Sequence, residues 1–159
     1  MNLRIEALAH SPRPVLCAAL LLIGGGLPAA AQSLSWVRQL GTTGGDQMDA
    51  AAPDGAGGVF SCGSTQGSLG GPSAGSWDAW LAHHDAAGNS LWTRQIGTTF
   101  GDYVSCAASD TAGGFYVGGQ TEASLGGPGA GFFDAWFARY DAAGNQLWIR
   151  QFGAGSRHV

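Results

Sequence analysis

Lysine is absent from this chain, and so are any cluster of basic residues, any apolar run long enough to cross a bilayer and any C-x-x-C pair. Isolated arginines in an acidic chain leave no basic stripe to neutralise phosphates, which excludes nucleic acid as the partner. The apolar run Val15 to Ile23 falls short of the ~20 residues that span the hydrocarbon core, and Gly24-Gly25-Gly26 ends it. The glycine-rich segments Ser68-Leu-Gly-Gly-Pro72 and Ser124-Leu-Gly-Gly-Pro128 lack the lysine and following helix of a phosphate loop. No Ser, His and Asp constellation recurs.

The N-terminus reads as an address rather than a domain. Arg4 and Arg13 precede the apolar run, and Ala29-Ala30-Ala31-Gln32 follows it. A charged start, a short apolar middle and an A-x-A-like end predict a secretory signal peptide over residues 1–31, cleaved after Ala31. Cys17 does not fit a lipid-modified cysteine, because Pro14-Val15-Leu16 puts a bulky residue directly before it. The expected destination is secreted or periplasmic, at the cell envelope, with no transmembrane segment after cleavage. Setting aside Arg4, Arg13 and Glu6 from seven basic and eleven acidic residues leaves five arginines against ten acids, a net charge of −5. Export permits a disulfide between Cys62 and Cys106. Buried free thiols are the other option, since cysteine packs as a small core residue.

What the chain has in abundance is repetition. Trp36-Val-Arg-Gln-Leu-Gly41 returns as Trp92-Thr-Arg-Gln-Ile-Gly97 and as Trp148-Ile-Arg-Gln-Phe-Gly153, each 56 residues after the last. Within the later period the sequence predicts strands over Tyr103–Ser109, Phe115–Thr121, Phe133–Asp141 and Gln146–Gly153. Asp110-Thr-Ala-Gly-Gly114 and Asp141-Ala-Ala-Gly-Asn145 suit tight reversals, because Asp bonds the backbone two residues on and Gly tolerates positive φ. The earlier period repeats the plan with turns at Asp54-Gly-Ala-Gly-Gly58 and Asp85-Ala-Ala-Gly-Asn89. In the fourth strand, period-two alternation places Trp92, Arg94 and Ile96 on one face and Thr93 and Gln95 on the other. A guanidinium lying over the indole would let Arg38, Arg94 and Arg150 share a face with Trp36, Trp92 and Trp148.

A four-stranded unit recurring in tandem with tryptophan and glycine signatures is what a β-propeller blade looks like in sequence. The motifs W-x-R-Q-x-G, D-x-x-G-G-x-Y-V-G-G-x-T and G-x-x-D-A-W-x-A-x-x-D-A-A-G-N resemble those of the SBBP family over Leu34 to Gly153. The resemblance implies repeats of seven-bladed propellers in exported bacterial proteins, usually without an assigned enzymatic activity. The expected fold is all-β, with two complete four-stranded antiparallel blades at residues 47–97 and 103–153, and a lone N-terminal strand at 34–41. Closure of a propeller takes four to eight blades. The partners expected are therefore further blades of the same repeat, supplied by a longer parent chain or by a homo-oligomer. The surplus strand favours the longer chain, because each full blade already has a fourth strand.

Chemistry-bearing residues are few. His83 and His84 are neighbours in a strand, so they point to opposite faces and cannot ligate one metal together. Their counterparts one period on are Arg139 and Tyr140, so the pair is not expected to be part of the repeat unit. Asp46, Asp54, Asp78 and Asp85 recur as Asp102, Asp110, Asp134 and Asp141. Carboxylate oxygens suit Ca²⁺, but none stands in a D-x-D-x-D-G arrangement, so turn capping is the expected role and no cofactor is required. The repeat signature itself comprises Trp36, Arg38, Gln39, Trp92, Arg94, Gln95, Trp148, Arg150, Gln151, Asp78 and Asp134, and no catalytic residue stands out. In an up-and-down blade, Thr42, Thr43, Asp46, Thr98, Thr99 and Asp102 gather at one end with the loops Gln66–Ser76 and Glu122–Phe132, which makes that end the candidate binding face. Three readings follow. The first is a non-catalytic exported scaffold or protein-interaction module. The second is a glycan binder at the cell surface, which requires Trp77, Trp80 or Trp136 to face solvent. The third is a fragment of a larger propeller enzyme, which requires a carboxylate to meet a second carboxylate or a histidine in one pocket.

Overall fold

The computed structural model describes residues 35–154, all within one compact unit, Ser35–Val159. The signal peptide expected over residues 1–31 lies outside the described residues. Eight strands follow in order: β1 (Asp46–Pro53), β2 (Val59–Thr65), β3 (Asp78–His84), β4 (Ser90–Ile96), β5 (Asp102–Ser109), β6 (Phe115–Thr121), β7 (Asp134–Tyr140) and β8 (Gln146–Phe152). They form two four-stranded antiparallel meanders, β1-β2-β3-β4 and β5-β6-β7-β8, and the described residues contain no helix. The fold is all-β, with two blade-like sheets at the expected places.

Turn chemistry sets the strand ends. The Asp85 carboxylate accepts the Ala87 and Asn89 amides at 2.9 and 2.8 Å, and Gly88 takes φ +77. Asp141, Ala143, Asn145 and Gly144 reproduce the same turn one period later, down to the φ value. The sheets also share their irregularities. The register slips between Met48 and Ala50 in β1 and between Val104 and Cys106 in β5, and again between His83/His84 and Arg139/Tyr140. A bulge kept at one phase of the repeat is part of the unit's design.

The core lies between the sheets. Phe60, Cys62, Ala79 and Leu81 of the first sheet meet Val104, Phe115, Val117, Trp136, Ala138 and Tyr140 of the second in one buried cluster. The Phe60 and Phe115 rings stack with centroids 4.5 Å apart and planes at 12°. Each large side chain buried there contributes roughly 1.5–3 kcal/mol relative to exposure. A single four-stranded meander has two faces, and stacking on its neighbour is how each sheet here covers one of them.

One expected element is not a strand. Residues 35–42 have no strand pairing, although the W-x-R-Q-x-G motif there matches β4 and β8. A strand needs an edge to pair with: β4 and β8 hydrogen-bond β3 and β7, and among the described residues no strand lies beside residues 35–42 in that way. Trp36 nevertheless keeps its place in the repeat. Its indole donates to Ala86 O at 3.2 Å, as that of Trp92 donates to Ala142 O at 2.9 Å.

Candidate functional site

The end of the sheets where the β2-to-β3 loop meets the connections into β1 and β5 is built from repeated carboxylates. Asp46 Oδ2 accepts the Thr42 amide at 2.6 Å, and its carboxylate also takes the Thr42 and Thr65 hydroxyls. Asp102 does the same with Thr98 and Thr121. The loops close against these connections through Gln66 N–H to Gly45 O at 2.8 Å and Glu122 N–H to Gly101 O at 3.0 Å. Thr42, Asp46, Thr98 and Asp102 thus satisfy one another, while Thr43 and Thr99 stay exposed.

The two carboxylates differ in charge preference despite identical partners. Burial raises the pKa of Asp102, aided by nearby Asp78 and opposed by the Thr121 and Thr98 hydrogen bonds. For Asp46 burial pulls upward too, but bonds from Thr42 and Thr65 outweigh it and the net direction is down. The difference is the neighbouring sheet: Asp102 is fully buried, whereas Asp46 is only half-buried.

The glutamine of the W-x-R-Q motif orders the glycine-rich loop. Gln95 Oε1 accepts the Leu69 and Gly70 amides at 2.8 and 3.2 Å, and its Nε2 donates to Gly67 O and to Asp78 Oδ2 at 2.8 and 2.7 Å. Gln151 makes the equivalent four bonds to Leu125, Gly126, Ala123 and Asp134. The glycine that ends the motif is there for space, since a Cβ on Gly97 would come within 2.0 Å of Asp78 Oδ1. Only the middle arginine lies over its tryptophan, Arg94 being 5.7 Å from the Trp92 ring centroid. What all three arginines share is a bond from Nη1 to the preceding carbonyl, at Val37, Thr93 and Ile149.

His83 and His84 point to opposite faces, as alternation requires. His83 Nε2 lies 3.0 Å from Asp54 Oδ2, stacked on Phe60 at 4.2 Å, and lowers the Asp54 pKa. One period later Arg139 occupies the same slot against Asp110 at 2.9 Å. The histidine is therefore part of the unit, as a replacement for the arginine, which the sequence alone did not reveal. His84 is buried near Trp36. Burial lowers its pKa, with His83 and Arg38 adding to the effect.

Comparison with models of known protein families and with curated proteins gives no match for this chain.

The remaining candidates are placed by their contacts. Trp80 and Trp136 are buried, with their indoles donating to Gln47 O and Tyr103 O, so neither offers a stacking platform to a sugar. Trp77 is half-buried beside Tyr103. Among the described residues no three Asp, Glu, His or Cys side chains converge as a metal set. Cys62 is buried and Cys106 exposed, both as free thiols, and burial pushes the Cys62 thiol up to about 12. A concavity of about 490 Å³ opens on the outer face of the second sheet, lined by Cys106, Gly118, Phe133, Trp136 and Phe137 among others.

Proposed function

We propose that this chain is an exported, non-catalytic β-propeller repeat module of the SBBP kind, acting as a scaffold or protein-interaction surface. The observation that carries the reading is the shared slot of Asp54 with His83 and Asp110 with Arg139. Arginine stays charged at all ordinary pH values and cannot relay a proton as histidine does. A position that accepts either residue asks for a nitrogen donor to the turn carboxylate and not for proton relay, and the sole carboxylate–histidine pair among the described residues is this one. Repeated polar groups elsewhere are taken up by the turns and loops, which leaves the outer face of the second sheet, with Phe137 exposed, as the unspent surface.

The test is His83→Arg, which makes the first unit match the second. The variant is expected to fold with an unchanged or higher melting temperature, and neither it nor the parent to hydrolyse glycoside, ester or peptide substrates. Turnover by the parent that His83→Arg abolishes would overturn the reading. Export is tested separately by the mass of the protein recovered outside the cytoplasm, expected to begin at Gln32.

A further inference from the structure

We propose that the outer face of the second sheet docks a second copy of this chain, and that residues 36–41 compete internally for the same contact. The inference rests on the repeat-module reading above and names its partner.

The chain already contains the template for this contact. Across the internal seam the first sheet presents Phe60, Cys62 and Leu81, all buried against the second. One period later the outer face of the second sheet presents Tyr116, Gly118 and Phe137, and Phe137 is 38% exposed where Leu81 is 0%. At the other end, Met48 is 63% exposed where its counterpart Val104 is 5%. Phe137 and Met48 thus lie on the two halves of the seam that is closed inside the chain, and on the Met48 half Ser61, Trp80, Ala82 and His84 are already buried. Their sizes also compensate. The internal cluster holds Cys62 and Val104, whereas the two outer faces carry Gly118 and Met48 at those positions, a smaller residue on one side and a longer one on the other. The 490 Å³ concavity lined by Gly118 and Phe137 is the space a methionine would enter. This matching favours a second copy over an unrelated partner.

The tryptophans show what stands in the way. Trp92 donates to Ala142 O, and Trp36 donates to Ala86 O, while Trp148 Nε1 has no acceptor among the described residues. In a head-to-tail pair, Trp148 of one copy would take the Ala86 carbonyl of the next, which Trp36 now holds. Residues 36–41 hold this place without strand pairing, and Val37, Arg38 and Gln39 are exposed while Trp36 and Leu40 are half-buried. Gln39 also makes none of the four loop bonds of Gln95 and Gln151 among the described residues. Because the contact joins different faces, it continues into rings or filaments unless one face is blocked.

Sedimentation velocity on the purified chain tests this with Phe137→Asp, which spoils one face, and Met48→Glu, which spoils the other. Each variant alone is expected to be monomeric, and their equimolar mixture to give a dimer that grows no further. Trp36→Ala is expected to strengthen self-association of the otherwise unaltered chain by about tenfold, since it removes the competing closed state. A mixture that stays monomeric, with both variants keeping the parent's circular dichroism and melting temperature, overturns the docking and leaves the module reading in place. Continued self-association of either variant alone also overturns it. Hydrolytic turnover lost in His83→Arg would instead remove the module reading.

Discussion

The Trp92 indole N–H donates to the Ala142 carbonyl at 2.9 Å and lies directly over Gly144, joining the last strand of one sheet to the last turn of the next. Gly144 takes φ +77, and a Cβ there would come 2.8 Å from the indole. Gly144→Ala therefore combines left-handed strain with overpacking and is expected to cost about 2–4 kcal/mol in urea denaturation. Gly88→Ala meets Trp36 at 2.6 Å with the same φ. Its expected cost is smaller, about 1–2 kcal/mol, because residues 36–41 are unpaired and can swing away. Equal costs at both sites would contradict this difference in anchoring.

Gln95 and Gln151 should matter where Gln39 does not. Truncating either of the first two removes four hydrogen bonds that hold a glycine-rich loop to its sheet. Gln95→Ala is expected to lose about 2–3 kcal/mol and to speed amide exchange across residues 66–76. Gln39→Ala is expected to fall within about 0.5 kcal/mol of the parent.

Stability should fall in acid through the turn aspartates. The His83 hydrogen bond, helped by the Ala56 amide, holds Asp54 below its ordinary value. At Asp110 burial works upward but is outweighed by bonds from Gly114 and Arg139. A carboxylate lowered on folding contributes stability above its unfolded pKa of 3.8 and loses it as pH falls through the folded value. Asp102 has the opposite sign: raised by burial, it favours folding below 3.8 and opposes it as pH rises through its folded value. Thermal melts between about pH 5 and pH 2 should therefore decline, and Asp54→Asn should flatten the slope. An unchanged slope would show that the Asp54–His83 pair is not formed.

Added Ca²⁺ or a chelator should leave the melting temperature unmoved. The carboxylates of Asp54, Asp85, Asp110 and Asp141 each accept backbone amides in their own turns. A ligand that binds only the native state must raise the melting temperature, so a shift with Ca²⁺ would reveal a site that these turns do not explain.

Strand positions were legible because their causes are local. The D-x-x-G-G and D-A-A-G-N turns fix where each strand ends, and Phe115–Thr121 falls on β6 to the residue. Of the strand expected over Leu34–Gly41, the described residues 35–41 are not in strand pairing, since strand identity needs a partner edge and the motif alone cannot supply one. The role of Gln95 was hidden for a related reason: its partners lie up to 28 residues away in sequence. His83 looks foreign to the repeat in sequence because histidine and arginine are unrelated as letters, and only the matching distances to Asp54 and Asp110 show them filling one slot. Gathering of the Thr and Asp residues at one end followed from up-and-down topology. Their mutual hydrogen bonding, which leaves only Thr43 and Thr99 free there, required coordinates.

The stacked-sheet account is tested most directly by nuclear Overhauser contacts between the rings of Phe60 and Phe115, whose centroids are 4.5 Å apart. Strong ring-to-ring cross-peaks, together with contacts from Phe115 to Trp92, are the predicted result. Rings that show contacts only within their own sheet, and amides of β5 that exchange as fast as those of an exposed edge, would contradict it.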